Sequence, residues 1–379
     1  MINSEQVQTH ISSRILEART VLGLSQEESS VLLGIPRLKL HEWETGKRLA
    51  TIADLEKMAD VYGRDLAFFT DENKEDNAFQ VLLRATNKDK NTRETVITFE
   101  KYCNNYRKLS DVLGYKSAPI SGTDFILDDS RPLDEWMAHY AESQRESLGL
   151  GRGPITNLRE VLEEKIHVKI FFNQMSESIS GMFTYNHKNG ASIMINTLNK
   201  TAGHQYFSLA HEFAHYLFHK RKLALISKEQ SNEREEREAN IFAENFLMPA
   251  QALRDSFYDR APGKNDASEE DILYLADFYR VSFKAMVVRL KNLRLINQTL
   301  ANKFFGDTKV NRLRAITGFD EPKMSGDKFP KIYFHLLVKA FRNKLVTAAA
   351  LSDFLDIDLW SAKLEAKKIE RLFLNEATI

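Results

Sequence analysis

The chain has 379 residues, more than the roughly 150–250 residues at which a single hydrophobic core stops growing, so two or three domains are expected. Hydrophobic residues make up 43% of the chain and charged residues 28%, which excludes a disordered or fibrous protein. The 53 Lys and Arg equal the 53 Asp and Glu in number. No overall charge therefore attracts nucleic acid or anionic lipid, and any such affinity must be local.

The only cysteine, Cys103, excludes an intramolecular disulfide framework and any multi-cysteine zinc or iron–sulfur site. A metal would have to be held by His, Asp and Glu. The first residues, Met1 to Gln6, lack the basic and apolar segments of a secretory signal, and no stretch reaches the about 18 apolar residues of a membrane helix. We therefore expect a soluble cytoplasmic protein that does not contact a membrane.

Short helices are predicted between residues 10 and 69. Ser25 followed by Glu28 is the pattern of a capping box at the start of the second helix, and Pro36 suits the first position of the third. Two short helices joined by a turn that contains Gly34 are typical of a helix-turn-helix unit.

Beyond this region, the polar, acidic stretch at 71–77 predicts a linker, and a second break is expected at 117–132. A small sheet is then predicted, with strands at 168–172, 183–185 and 191–196. A long helix from about 200 to 219 follows it, and further helices are expected in the remainder of the chain.

The segment His211-Glu212-Phe213-Ala214-His215 is an H-E-x-x-H motif in an apolar helical pattern. A spacing of four places both imidazoles on one helix face, with Cβ atoms about 5–6 Å apart, which suits two nitrogen ligands on one zinc ion. Glu212, beside the first ligand, is expected to take a proton from the attacking water as general base. His219 lies about 12 Å beyond His211 along the helix, so we expect it to pack or cap rather than to bind the metal.

A third ligand is expected from a second helix, in the acidic stretch at 234–243. Glu235 and Glu238 share a face with the apolar residues of this stretch, and the spacing leaves the choice between them open. The other two acids of the region are expected to point toward solvent: Glu233 and Glu236.

These motifs resemble the ImmA/IrrE family of metallo-endopeptidases. The resemblance extends from about 149 to 296 and is carried by the segments at 207–219, 238–243 and 247–249. It implies that the Glu before Ala-Asn, here Glu238, is the third ligand of one zinc ion, with manganese as the alternative ion. It also implies peptide hydrolysis, with the metal held by His211, His215 and Glu238 and with Glu212 as the base.

Substrate contacts are expected near the same helix. The strand at 191–196 is a candidate edge to which an extended substrate could add by backbone hydrogen bonds, the alternative being an ordinary sheet strand. Its candidate residues are Ile193, Ile195 and Asn196. The remaining candidates are His204 and Tyr206, which stand where the family commonly has a short basic run.

Residues 11–69 resemble the XRE (lambda-repressor-like) helix-turn-helix family through the segments at 23–27, 33–35 and 43–48. The resemblance implies that Gln26 contacts DNA phosphate. The base-reading face of the third helix carries Arg37, Leu38 and Glu42. Arg37 suits guanine, and two lysines suit phosphate: Lys39 and Lys47.

The first 70 residues carry eight Lys and Arg but ten Asp and Glu. Because phosphate contacts supply most nonspecific affinity for DNA, a module turned to protein contacts is the alternative to a reader of double-stranded DNA. Such modules often act as dimers on pseudo-palindromic operators, which makes a homodimer one expectation.

We therefore predict a mainly α-helical (α+β) protein. Its predicted parts are a five-helix lambda-repressor-like domain at 1–70, a helical connector at 71–148, a zincin-like peptidase domain at 149–298 and a helical region at 299–379. The predicted function is zinc-dependent, site-specific cleavage of a repressor or antitoxin-type partner in a stress, phage or mobile-element response. The alternative is a DNA-binding repressor or antitoxin whose peptidase-like domain senses or binds a partner without proteolysis.

Overall fold

The computed structural model describes most of the chain, namely residues 4–21, 24–62, 64, 66–70, 79, 82, 89–115, 132–186, 190–219, 224–228, 233–261, 263, 267–307, 309–318 and 327–374. The predicted linker at 71–77 and the predicted break, apart from Pro132, lie outside these residues. None of the described helices combines the length and the apolar character that a membrane span requires.

The chain forms two compact units, one of residues 1–115 with 337–379 and the other of residues 116–336. Of the two helices predicted as connector, one belongs to the first unit and the other to the second: Lys90–Val112 and Leu133–Ser147. The four domain boundaries given above remain a prediction.

The N-terminal part of the first unit contains the helices α1 (Ser4–Val21), α2 (Gln26–Leu33), α3 (Arg37–Glu44), α4 (Ile52–Tyr62) and α5 (Leu66–Thr70). The predicted capping box is present, because Ser25 Oγ accepts from the amide of Glu28 and the Glu28 carboxylate accepts from the amide of Ser25. Gly34 ends α2 in the left-handed region, at φ 58°. Leu40 and Trp43 are buried in the core that these helices share.

The first unit is completed by α6 (Lys90–Val112) and by the last helices of the chain. Arg64 and Glu100 form a buried ion pair between the N-terminal helices and α6. Tyr102 donates to Asp356 Oδ2 at 2.6 Å, and Asn105 donates to the carbonyl of Asp353 at 3.1 Å. The C-terminal residues thus pack on α6 through polar contacts. The last helices are α16 (Lys331–Arg342), of which the residues from 337 onward belong to this unit, α17 (Leu351–Leu355) and α18 (Leu359–Leu374).

The second unit contains the sheet. Its first elements are α7 (Leu133–Ser147), α8 (Leu158–Lys165), β1 (Lys169–Asn173), β2 (Ile179–Asn186), β3 (Gly190–Asn196), α9 (Ala202–Phe218), β4 (Ala224–Lys228) and α10 (Arg234–Leu247). The helices that follow are α11 (Ala250–Tyr258), α12 (Glu269–Phe278), α13 (Phe283–Asn292), α14 (Gln298–Asp307) and α15 (Val310–Thr317). The predicted fold class, mainly helical with a small β-sheet, is confirmed, and the described strands pair both parallel and antiparallel.

The strands of the described sheet lie in the order β1-β3-β2-β4. β3 pairs parallel with β1 and antiparallel with β2, so both of its edges are hydrogen bonded. The prediction that 191–196 is a substrate-binding edge is therefore wrong. Ile193 and Ile195 are fully buried, and the side chain of Asn196 accepts from the amide of Met175 and donates to the carbonyl of Ile179. The two isoleucines therefore belong to the core, and Asn196 fixes the loop between β1 and β2.

Helix α9 contacts β2, β3 and α10, and α10 in turn contacts both α9 and α7. The start of α9 lies against the backbone of the loop before α13. A Cβ atom at Gly203 would lie 2.5 Å from the amide nitrogen of Ser282 and 2.5 Å from the carbonyl carbon of Val281. Only glycine allows this approach, because neither contact is with a side chain that could rotate away.

Candidate metal centre

The two histidines of the H-E-x-x-H motif lie side by side on the inward face of α9. Thr201 caps this helix by accepting from the amide of His204, and the apolar neighbours of the motif bury it against the sheet and α10. His211 and His215 are both buried. Their Nε2 atoms are 3.0 Å apart, as the spacing of four predicts.

The carboxylate that meets these imidazoles belongs to Glu236 of α10. Its Oε2 atom is 3.3 Å from His211 Nε2, and its Oε1 atom is 3.2 Å from His215 Nε2. Glu236 is 6% exposed. Two imidazole nitrogens and one carboxylate thus converge on one point in the interior. Among the described residues, these three side chains form a group that could hold a metal ion. Two His and one Glu are the donor set of several catalytic zinc sites.

This geometry corrects two expectations, because Glu238 does not join the imidazoles of His211 and His215, and Glu236 does not point toward solvent. Glu238 accepts from His219 Nε2 at 3.0 Å and from Arg234 Nε at 2.8 Å instead. The other candidate for the third ligand, Glu235, is half-buried and does not join the group either.

The physical reason is the unusual width of the buried surface of α10. The helix packs between α9 and α7 and buries residues over about half of its circumference, whereas a surface helix buries a stripe about 100° wide. The glutamates at 236 and 238 lie at opposite margins of this arc. The buried residues are Glu236, Glu238, Ala239, Phe242, Ala243, Phe246 and Leu247.

Each imidazole is also held on the side away from Glu236. The Nδ1 atom of His211 is 2.9 Å from Asn240 Oδ1, and the Nδ1 atom of His215 is 2.9 Å from His219 Nδ1. The sequence interpretation missed Asn240. A signal for it exists, since Glu236 and Asn240 are four residues apart, as are the two histidines, and this spacing puts both side chains on one face.

Glu212 lies against the sheet with a fully buried side chain. Neither carboxylate oxygen has a hydrogen-bond partner among the described residues. Burial raises the pKa of this carboxyl to about 8, and the charge of the neighbouring His211 and the nearby hydroxyl of Ser227 oppose the rise. A Cβ atom at Gly181 of β2 would lie 2.9 Å from Glu212 Cδ, so glycine at this position makes room for the carboxylate. The pairing of β2 with β4 is irregular between Ile179 and Gly181.

The ionisation states of the three converging residues suit metal binding. Burial opposes ionisation of Glu236, but the hydrogen bonds to His211 and His215 outweigh it and lower the pKa to about 2. Burial lowers the pKa of His215 to about 4, which keeps this imidazole neutral. Burial also disfavours a proton on His211, yet the hydrogen bond to Glu236 and the charge of Glu212 raise its pKa. A metal would thus take the place of a proton on His211.

In the helix-turn-helix unit, Arg37 and Leu38 stand on the exposed face of α3, with side chains 64% and 67% exposed respectively. Arg37 lies 3.9 Å from Glu27. Glu42 approaches Arg48 at 3.9 Å. Lys47 is exposed.

Two other residues predicted to contact DNA are engaged within the unit. Gln26 Nε2 donates to Glu44 Oε2 at 2.7 Å, and Glu44 also forms a buried ion pair with Arg19. Lys39 Nζ donates to Asp54 Oδ1 at 3.2 Å. Of the six predicted DNA contacts, Gln26 and Lys39 would therefore need to exchange a partner inside the protein for a phosphate.

Comparison with protein-family models gives two matches. Residues 163–291 match the IrrE N-terminal-like domain of the M78 peptidases, and residues 13–67 match a helix-turn-helix domain. The chain joins a helix-turn-helix domain to an IrrE-like peptidase domain. The predicted fusion is thereby confirmed. A search of curated proteins finds no match to the chain. All residues of the candidate metal centre lie inside the IrrE-like domain.

The IrrE-like domain also has a groove of about 640 Å³ between α9, α10 and α13. Asn240 lines it and connects it to His211. His204 lines it too and is exposed, as expected of a residue that could contact a substrate. Tyr206 does not fit that expectation, because its ring is buried and its hydroxyl donates to the carbonyl of Thr156 at 2.7 Å. The other lining residues are Phe207, Arg237, Ile241, Glu244, Ser282, Lys284, Ala285 and Val288.

Proposed function

We propose that the chain is a zinc-dependent, site-specific endopeptidase that cleaves a transcriptional repressor or antitoxin-type partner, and that its helix-turn-helix domain binds double-stranded DNA. The observation that carries the proposal is the convergence of His211, His215 and Glu236 beside the buried carboxylate of Glu212. The match to the IrrE-like domain supports a peptidase rather than another metal-dependent hydrolase.

The residues present fit a divalent cation. The Nε2 atoms of His211 and His215 are 3.0 Å apart, and each lies within 3.3 Å of a carboxylate oxygen of Glu236, so three buried ligand atoms face one another. Two imidazoles and one carboxylate favour zinc, with manganese as the alternative. Bound zinc would polarise the scissile carbonyl and acidify the attacking water.

In this scheme Glu212 moves the proton. Burial raises the pKa of its carboxyl to about 8 in the metal-free protein, and a bound cation would favour the ionised form, in which the carboxylate can take a proton from water and return it to the leaving amine. The carboxylate can lie at this position only because Gly181 has no side chain, since a Cβ atom there would overlap with Glu212.

For substrate binding we propose the outer edge of β4 in place of β3. In the described sheet β4 pairs with β2 alone, so its other edge can accept an extended peptide by backbone hydrogen bonds. Ser227 of β4 is paired with Gly181, the residue against which Glu212 packs. A peptide on this edge would therefore pass close to the general base.

The groove beside His211 offers a second contact for the substrate. Arg237 and Lys284 are exposed on its walls, and the charge of Glu244 is compensated by Arg289 at 3.6 Å. The floor is apolar, with Phe207 and Ile241 among its residues. We propose that it accepts a segment with acidic and apolar side chains on one side of the scissile bond.

The deciding experiment compares the wild-type protein with Glu212→Gln. Both should bind one zinc ion per chain, because the substitution leaves His211, His215 and Glu236 intact. Only the wild-type protein should generate new protein termini when it is added to an extract of its host and the termini are identified by mass spectrometry. Equal cleavage by the two proteins would refute the role of Glu212.

The role of the helix-turn-helix domain is tested separately, by gel shifts at stated salt concentration. We expect Arg37→Ala to weaken specific binding by about 1–3 kcal/mol, the usual contribution of a base contact. If Glu212→Gln leaves the biological output intact while Arg37→Ala abolishes it, the chain is a repressor that does not act by proteolysis.

A further inference from the structure

A chain of polar side chains leads away from the metal centre on the side of His215. His215 Nδ1 is 2.9 Å from His219 Nδ1, His219 Nε2 is 3.0 Å from Glu238 Oε2, and Arg234 Nε donates to Glu238 Oε1 at 2.8 Å. The first three residues of this chain are buried, at 0%, 7% and 2% exposure, whereas the side chain of Arg234 reaches the surface.

The hydrogen bonds can be satisfied in one arrangement once a metal occupies the centre. A metal on His215 Nε2 requires its proton to lie on Nδ1, so Nδ1–H donates to His219 Nδ1. His219 must then carry its own proton on Nε2, which donates to the carboxylate of Glu238. Arg234 donates to the other oxygen of that carboxylate and holds it ionised. Every bond in the chain therefore has one donor and one acceptor.

We propose that His219 and Glu238 are positioning residues for the metal ligand His215. This proposal rests on the metal centre of the proposed function. Ligand histidines usually donate their second N–H to a carboxylate or carbonyl, which orients the ring and selects its tautomer. In this protein a second histidine stands between the ligand and the carboxylate, and it carries the orienting effect across one helical turn of α9. Glu238 thus supports the centre through His219, without direct contact with the metal.

A packing role for His219 makes the opposite prediction, and two substitutions separate the two cases. His219→Phe keeps the ring volume but removes the acceptor for His215 Nδ1–H. His219→Asn loses volume but places an amide oxygen near the position of Nδ1. If His219 positions the ligand, Phe should weaken zinc binding by about 10–100-fold, the usual effect of losing such a partner, and Asn should stay within about 3-fold of the wild type. If His219 only packs, Phe should be the milder change.

The measurement is the zinc dissociation constant of the full chain, obtained by competition with a chromophoric chelator. The absorption spectrum of the cobalt-substituted protein gives a second readout of ligand geometry. Phe218→Leu is the matched control, since it perturbs the neighbouring ring in the same helix without removing a partner of His215. The melting temperature of the metal-free variants shows whether any loss of affinity reflects unfolding.

A second pair of substitutions, at Glu238, keeps the test decisive if a variant at position 219 does not fold. Glu238→Gln retains an oxygen that can accept from His219 Nε2–H, whereas Glu238→Leu does not. We expect zinc affinity near the wild-type value for Gln and about 10-fold weaker for Leu. Equal affinity in all variants, with zinc bound by the wild type, would overturn the positioning role alone. A wild-type protein that binds no zinc would overturn the metal centre as well.

Discussion

The assignment of Glu236 as third ligand is open to a direct test with a matched pair of substitutions. Glu236→Gln and Glu238→Gln remove the same charge from the same helix, two residues apart. In the structure only Glu236 meets both imidazoles, at 3.2 and 3.3 Å, while Glu238 contacts His219 and Arg234. The two variants should therefore differ strongly in metal affinity.

The size of the difference follows from the number of ligands. Zinc sites with four protein ligands bind with about 10–16 kcal/mol, or roughly 2.5–4 kcal/mol for each ligand. Loss of one ligand from His211, His215 and Glu236 should then weaken zinc binding by about 100- to 1000-fold, because a factor of ten corresponds to about 1.4 kcal/mol. Glu238→Gln should stay within about 3-fold of the wild type, since the Gln oxygen still accepts from His219.

Chelator competition at one pH and ionic strength measures both constants, and the melting temperatures of the chelator-treated proteins serve as the control for folding. Gln at 236 keeps one acceptor for the imidazoles, so the metal-free fold should survive. The reverse order, with tight binding in Glu236→Gln and weak binding in Glu238→Gln, would refute the geometry described here. It would restore the assignment that the family resemblance implies.

Three further predictions concern residues around this centre. Gly181→Ala should push the Glu212 carboxylate by about 1 Å and reduce kcat about 100-fold with zinc retained. The control is Gly153→Ala, which should have no effect on cleavage because a Cβ atom at this position would have no other atom within 4 Å. Gly203→Ala should destabilise the protein by about 1–3 kcal/mol through backbone overlap, visible as a lower Tm, and an unchanged Tm would contradict the close approach. Asn240→Ala should weaken zinc binding about 10–100-fold, and full affinity would show that His211 needs no support from this side.

Local chemistry made several features of this protein predictable from the sequence. The capping box at Ser25 and Glu28, the left-handed turn at Gly34 and the pairing of two imidazoles depend on residues three to five positions apart. Such interactions are set within one or two helical turns, so a spacing in the sequence fixes them. The helix-turn-helix and IrrE-like domains were recognised for the same reason, because their motifs consist of short segments.

The third ligand and the position of β3 depend on contacts between distant segments. Periodicity places one apolar stripe on a helix, but α10 packs between two helices and buries a wider arc, so both Glu236 and Glu238 lie inside and only the placement of α9 decides which one meets the imidazoles. Likewise, alternation in a strand does not reveal its neighbours. β3 is an interior strand because β1 pairs with one of its edges and β2 with the other. Which strands pair is decided by contacts between distant segments in the folded chain.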